Sequence, residues 1–437
     1  MIRYSRVAAA LAAAVGALCA ASEAKATPQP GDCNFTGNVV YVTGSSASSP
    51  YLATLSTVLA AQATPVTLVY IQTESCQGVT DFLASTPLTS AATFWTPSAD
   101  GGTALVANTC NFSATSVPPT SVTVDASVSD VYASTCGATP AATFQEFGGP
   151  VQAMAFVVNT GSTESSISEE AAHVIFKDIG TAADQISPWT DPAQLFIRQG
   201  GAAGSGTRAM IGTTLGFADG DWSSAIPAAN VFTSSGSLLS AVSGDTANAA
   251  KTLGILSVTK ADSARKGSSA TAQVSVLAFQ AKGQTCGYYP DSTAGTFDKL
   301  NVREGRYDIW GPLHFITAVS GGLPVSTSNP GAAGNAAVQA FVNLVSLPTG
   351  PTLSDTQKMT VISAAAKAHV VAQCAMRVQR TAEVGPEASF LPPESCGCYW
   401  ESVASGATPA SCTTCTTSAD CGDSGTPTCR YGFCEAN

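Results

Sequence analysis

The chain has 437 residues, 45% of them hydrophobic and only 11% charged, with a formal net charge of −11. That acidic balance argues against nucleic acid or an anionic membrane surface as a partner, because both repel a net-negative chain. It does not exclude a small anion, since a local cluster of aligned N–H groups holds one against the global field.

In chain order, residues 1–26 read as an export signal: two arginines in MIRYSR, the small apolar run VAAALAAAVGALCAA, and an A-x-A site in AKA before Thr27. Cys19 follows Leu18, where a lipid-anchoring motif wants a small residue, so a lipid anchor is disfavoured. No later apolar run approaches the roughly 20 residues that span a bilayer. The mature chain is therefore expected to be exported, to the periplasm or cell envelope. Arg3, Arg6, Lys25 and Glu23 leave with the signal, a net +2, which takes the charge from −11 to −13. Of 14 cysteines, 13 then remain in an oxidising compartment, so disulfides are expected and the odd count leaves one thiol over. Cys76 with Cys110, Cys33 with Cys136, and Cys286 with Cys374 are candidate bridges among several that spacing allows.

Short β-branched runs then recur: NVVYVTG, PVTLVYIQ, SVTVDASVSDV, QAMAFVVNT, AQLFIRQ and TLGILSV. Segments of helical character lie between and after them: PYLATLSTVLAAQ, GVTDFLAS, SEEAAHVIFKDI, TRAMIGTTLG, AAVQAFVNLVS and DTQKMTVISAAAKAHVVAQCAM. Strand alternating with helix predicts an α/β fold with parallel strands. Roughly 350 residues before the cysteine-dense tail exceed what one core accommodates, so two lobes are expected. From Cys396 onward the tail reads as a small disulfide-stapled module with little apolar core of its own.

Three strand-to-helix junctions share a chemistry. TGSSASSP (Thr43 to Pro50), TESCQG (Thr73 to Gly78) and GSGT (Gly204 to Thr207) each place hydroxyls where a strand ends and a helix begins. Helix N-termini present unpaired N–H groups at such points, and α/β sheets bind ligands beyond the carboxyl ends of their strands. Each feature also has a plainer reading. Ser205–Thr207 makes an ordinary helix cap, Asp130 a turn cap, Arg198 an unremarkable ion pair, and Ser45 and Ser46 are turn-formers.

The order TGSSASSP, TESCQGV, VDASVSDV, WTDP, IRQGGAAGSGT resembles the phosphate-binding proteins of bacterial ABC transporters, in patches between Asn38 and Ile316. The resemblance implies a type II periplasmic-binding-protein fold: two lobes, a hinge between them, and here an added Cys-rich C-terminal module. It implies lobe 1 from 27–150 and 310–376, lobe 2 from 151–309, and a linker and tail at 377–437. It also implies ligand roles. Ser48 falls on the family's hydroxyl ligand with the Ser49 N–H beside it, Asp130 on the carboxylate that accepts the anion's proton, Arg198 near its arginine, and Ser205, Gly206 and Thr207 on the second lobe's helix terminus. The second loop's ligand serine aligns with Cys76, so a bridged Cys76 would leave Ser75 or backbone N–H groups to serve there. Arg198 stands seven residues before Ser205 rather than four, and QGGAAG lacks the aspartate that pairs with the arginine in the family. About fifty residues, holding Trp95 and Cys110, separate TESCQGV from VDASVSDV, a departure from the family's pattern.

Inside an anion site, a carboxylate acceptor such as Asp130 tolerates only a protonated oxyanion, which favours hydrogen phosphate over sulfate. Enzyme readings find little footing. There is no G-x-S-x-G elbow, and His173, His314 and His369 lack metal-ligand spacing. Gly201 to Gly206 is followed by Thr207 and Arg208, not the Lys-Ser/Thr of a P-loop, and Cys412-x-x-Cys415 suits a disulfide better than zinc. The expectation is a monomeric, cofactor-free and metal-free solute-binding protein that captures phosphate or a related oxyanion and passes it to an ABC permease. The alternative is a cell-envelope interaction protein that keeps the fold without transport.

Overall fold

The computed structural model describes residues 33, 35, 37–97, 105–112, 122–180, 185–202, 204–266, 274–346, 353–422 and 428–435. The expected export signal, Cys19 and the expected start at Thr27 lie outside them. Among the described residues no helix is long and apolar enough to cross a membrane.

The chain opens with β1 (Val39–Ser45), α1 (Ser49–Ala60), β2 (Thr67–Thr73) and α2 (Ser75–Leu83). All seven residues of β1 are buried, as a parallel strand covered on both faces requires. It pairs in parallel with β2 on one side and with β5 (Ala126–Ser129) on the other. The extra residues between β2 and β5 include an antiparallel hairpin, β3 (Ala92–Pro97) and β4 (Leu105–Cys110), which widens the sheet at its edge.

The 16-residue β6 (Phe144–Asn159) carries the chain out of this lobe. The second lobe holds β7 (Ser166–Ser168), α3 (Glu169–His173), β8 (Leu195–Arg198), α4 (Gly206–Thr214), β9 (Val231–Phe232), α5 (Ser235–Gly244), β10 (Leu253–Ser257), α6 (Val258–Lys266), β11 (Val274–Val276), β12 (Ala278–Gln280) and α7 (Leu300–Arg303). The chain returns along β13 (Trp310–Ser320), then β14 (Leu323–Pro324), α8 (Ala332–Val345) and α9 (Asp355–Lys367). Strand order β4-β3-β2-β1-β5-β13-β6-β10-β8-β9 places β13 and β6 at the join. The first part of β6 lies against β13, while Met154–Val157 pairs with β10 in the second lobe. This is the expected two-lobed α/β arrangement, with a crossing formed by two adjacent antiparallel strands.

The last predicted helix is shorter than its periodicity suggests. α9 stops at Lys367, His369 adopts a left-handed φ of 60°, and Val371 exchanges two backbone bonds with Val151, at 2.7 and 2.8 Å. The β-branched pair Val370-Val371 takes the extended conformation it favours and closes the crossing.

The tail is disulfide-rich as expected, but it is not independent of the body. After the short pair β15 (Val378–Gln379) and β16 (Ala388–Ser389), α10 (Gly397–Ser405) lies against α9. Trp400 is fully buried in the main core and donates its indole N–H to the Val370 carbonyl at 3.0 Å. The hairpin β17 (Thr428–Arg430) and β18 (Phe433–Glu435) returns to α10, where Glu435 accepts from the N–H groups of Cys398 and Tyr399.

The three candidate bridges are replaced by other pairings. Cys33 joins Cys110, because the chain start lies beside the β3–β4 hairpin, with Cys33 N–H bonded to the Asn111 carbonyl at 3.2 Å. Cys76 joins Cys136 just beyond β5, and Cys374 joins Cys396 at the root of the tail. Cys398–Cys412, Cys415–Cys429 and Cys421–Cys434 staple the rest, so Cys412 and Cys415 serve different disulfides. Among the described residues Cys286 is the free, exposed thiol. Mature protein denatured without reductant should therefore give one reactive thiol per chain, all of it on Cys286, by alkylation and peptide mapping. Trp400→Ala should lower stability by about 3–5 kcal/mol in urea unfolding, whereas an independently folded tail would leave the body's transition unmoved.

Candidate functional site

Two helix starts, α2 with Glu74 and α4 with Ser205 in the cap position, stand at the carboxyl ends of their strands without a side-chain cap, whereas α1 continues from a 3-10 turn, Ser46–Ser48, that the Ser45 hydroxyl caps. By contrast α5 is capped, Ser234 accepting from the Ser237 N–H at 3.0 Å. An uncapped start leaves first-turn N–H groups and the positive end of the helix dipole available to an anion. The glycines beside these starts permit close approach. Gly44 has a φ of +131°, and a Cβ there would fall 1.9 Å from the Val128 carbonyl oxygen.

The α2 and α4 starts meet directly across the two lobes. Cys76 N–H donates to the Gly204 carbonyl at 3.0 Å. A Cβ on Gly206 would lie 2.6 Å from Ser75 Oγ and 2.7 Å from Asp130 Cβ, so only glycine fits. Ser205 and Thr207 are buried on either side of it.

Asp130 follows β5 and is sealed from water. Its Oδ1 accepts from Ser45 Oγ at 2.6 Å and Gln152 Nε2 at 3.2 Å, and its Oδ2 accepts from Ser75 Oγ at 3.1 Å. Burial pushes its carboxyl upward, opposed by the Ser45 and Ser75 hydroxyls and by Arg198. The other aspartate of the same segment, Asp125, is structural: it accepts from Ser326, Thr327 and Ser328 and from the Tyr41 N–H. Both look alike in VDASVSDV, and only the fold separates them.

Arg198 ends β8 in the second lobe and is 1% exposed. It donates through Nη1 to Ser235 Oγ at 2.5 Å, and Nη2 lies 3.2 Å from Ser46 Oγ. The two oxygens of Glu74, from the first lobe, sit against Nη2 at 2.5 and 2.6 Å. Burial raises the Glu74 carboxyl to about 7, against the pull of Arg198 and a Ser205 hydrogen bond and with a push from Asp130. A further acid, Glu383, accepts from the Tyr132 N–H at 3.2 Å and is likewise raised by burial to about 7.

Of the residues singled out from sequence, Ser75, Asp130, Arg198, Ser205, Gly206 and Thr207 are brought together. Ser48 is not turned to the cluster: its hydroxyl donates to the Ser45 carbonyl at 2.7 Å, and Ser49 is half-buried at the first turn of α1. The hydroxyls that reach the cluster from that loop are Ser45 and Ser46, read above as turn-formers. Glu74, Gln152 and Ser235 were not anticipated. Glu74 alone carried a signal, as the acid standing before Ser75 in TESCQG.

No family model and no curated protein matches the chain. Among solved structures it is similar to one from Clostridium perfringens with bound phosphate, assigned as a phosphate ABC transporter substrate-binding protein, with a TM-score of 0.46 and 13% identity over 77% of this chain and 99% of that one. It is also similar to an ABC-type phosphate transport receptor from Vibrio cholerae, with a TM-score of 0.41 and 15% identity over 76% and 99% of the two chains. A third is the reduced OxyR regulatory domain from Pseudomonas aeruginosa, with a TM-score of 0.35 and 10% identity over 71% and 98%.

A carboxyl whose folded pKa lies above its unfolded value binds more protons when folded. Its contribution to stability is complete below the unfolded value and is lost as pH rises through the folded one. For Glu74 and Glu383 that window runs from 4.5 to about 7. His369, lowered by burial from 6.5 to about 4, works in the opposite direction with a single proton. The unfolding midpoint should therefore fall between pH 5 and pH 8 in calorimetric scans. Glu74→Gln combined with Glu383→Gln should flatten that fall.

Proposed function

We propose that the chain is an exported solute-binding protein that captures phosphate or a related small oxyanion between its lobes and delivers it, as a monomer, to an ABC-type permease. One observation carries the reading: a buried carboxylate, Asp130, packs on Gly206 at the uncapped start of α4, and a buried guanidinium from the other lobe, Arg198, stands near enough to pull down the Asp130 carboxyl that burial raises. A guanidinium and helix N–H groups supply charge and directed donors for oxyanion oxygens. The carboxylate accepts the proton that phosphate carries near neutral pH and sulfate lacks.

On this reading the first lobe is 27–150 with 310–376, the second is 151–309, and 377–437 is the linker and tail. Ser45, Ser75 and Asp130 bind from the first lobe; Arg198, Ser205, Gly206 and Thr207 bind from the second. The lobes turn about the β6 and β13 crossing as the anion enters. A second reading, an envelope interaction protein without transport, is favoured by one specific feature: Arg198 is already neutralised by Glu74.

Calorimetric titration of phosphate-free mature protein tests both. Phosphate should bind and sulfate should not. Arg198→Ala should weaken phosphate by about 2 kcal/mol, roughly 30-fold, and Asp130→Asn should admit sulfate. Absence of heat with phosphate, sulfate and molybdate alike would transfer the weight to the envelope reading.

A further inference from the structure

Resting on the solute-binding reading, we propose that Glu74 is a built-in ligand of the cleft, a carboxylate that occupies the anion's place on Arg198 and holds the two lobes closed when no solute is bound.

The residues come from opposite sides of the join: Glu74 from the cap of α2, Arg198 from the end of β8. Glu74 is 7% exposed and Arg198 1%, and both carboxylate oxygens face the guanidinium. A carboxylate presents two oxygens in nearly the spacing of one edge of a tetrahedral oxyanion, which is why guanidinium groups take either. Glu74 also receives Ser205, one of the hydroxyls that the anion reading assigns to the solute. It therefore uses the solute's partners rather than a separate set.

While this pair is made, the two lobes are also in direct contact beside it. The start of α4 rests on Ser75 and Asp130, and the Cys76 to Gly204 bond closes the backbones together. Charge points the same way. The ionisable groups facing Glu74 are Arg198, Asp130 and the buried phenol of Tyr70, which burial pushes up and keeps neutral, leaving one cation and one acid. Adding an oxyanion with Glu74 still in place would set three negative groups against one guanidinium, so binding must proceed by exchange: the lobes part, Glu74 leaves Arg198, and the solute takes its place.

If Glu74 instead served only to orient Arg198 for the solute, removing it would weaken binding. The two roles thus predict opposite signs. The test uses the full mature chain, unaltered and as Glu74→Ala and Glu74→Gln, with folding checked by circular dichroism. Small-angle scattering is recorded with and without inorganic phosphate, and phosphate affinity is measured by calorimetry. The unaltered protein should scatter as a closed particle in both conditions. Both variants should expand without phosphate, contract when it is added, and bind it at least about tenfold more tightly, because the binding-competent open state is no longer a minor one. Equal or weaker phosphate binding by both variants, or scattering that matches the unaltered protein without phosphate, would overturn the latch. If neither the unaltered chain nor any variant binds phosphate, the solute-binding reading fails by itself. The latch is then judged on scattering alone, standing if the variants expand and falling if they do not.

Discussion

A guanidinium sealed from water has to be matched in both charge and hydrogen bonds, and the meeting of the two lobes is arranged around that requirement at Arg198. Strand β8 delivers it to the join at 1% exposure, where no solvent can serve its donors. Ser235 and the Thr233 carbonyl come from its own lobe, whereas Ser46 and Glu74 come from the other. Deleting one partner of a buried pair commonly costs about 3–5 kcal/mol, because the survivor is left uncompensated. Closure is therefore contingent on an anion at this position, and Glu74 is the one the chain carries with it.

The crossing strands decide which motions are open to that contact. β6 and β13 are hydrogen-bonded neighbours, and the Val151–Val371 exchange ties the end of the α9 segment to the same place. The tail is rooted there as well, through the Cys374–Cys396 disulfide and the Trp400 bond to Val370. It then reaches the second lobe, where Arg303 pairs with Glu401 at 2.6 Å and Lys266 donates to the Ala404 carbonyl at 3.0 Å. A module that contacts both lobes near the crossing limits twisting and translation more than it limits rotation about the crossing itself. The disulfide-rich segment thus belongs to the mechanics of the body, and a reading of it as a detached ornament misses Trp400.

Much of this was legible in the residues. The strands and helices follow local periodicity, and GSGT after a β-branched run marks a helix start, which the sequence alone leaves open between an ordinary cap and an anion-facing turn and which α4 makes without a side-chain cap. What the pattern did not disclose depends on how distant segments meet. Ser45, Ser46 and Ser48 are equivalent by type, and the 3-10 turn Ser46–Ser48 between β1 and α1 decides that Ser45 faces Asp130, Ser46 faces Arg198 and Ser48 turns back on the chain. Glu74 looks like a solvated acid until β8 places Arg198 opposite it. The disulfides follow the same rule: Cys33 finds Cys110 through a hairpin whose position no spacing encodes. Trp400 lay in a segment too polar to build a core, and it instead entered one already built.

Electrostatics then constrains what the cleft can hold. Asp130 and Glu74 crowd the Arg198 guanidinium, whereas Glu383 feels Arg380 instead, and the partial positive ends of α2 and α4, each equivalent to roughly half a charge, supply the rest. The chain's overall negative charge acts weakly at this point, since at physiological salt it is screened beyond about 8 Å in solvent. Recognition must therefore come from groups in direct contact, and the balance among them leaves no surplus for a second anion. A solute enters only as Glu74 leaves Arg198, so a single residue links solute capture to lobe closure.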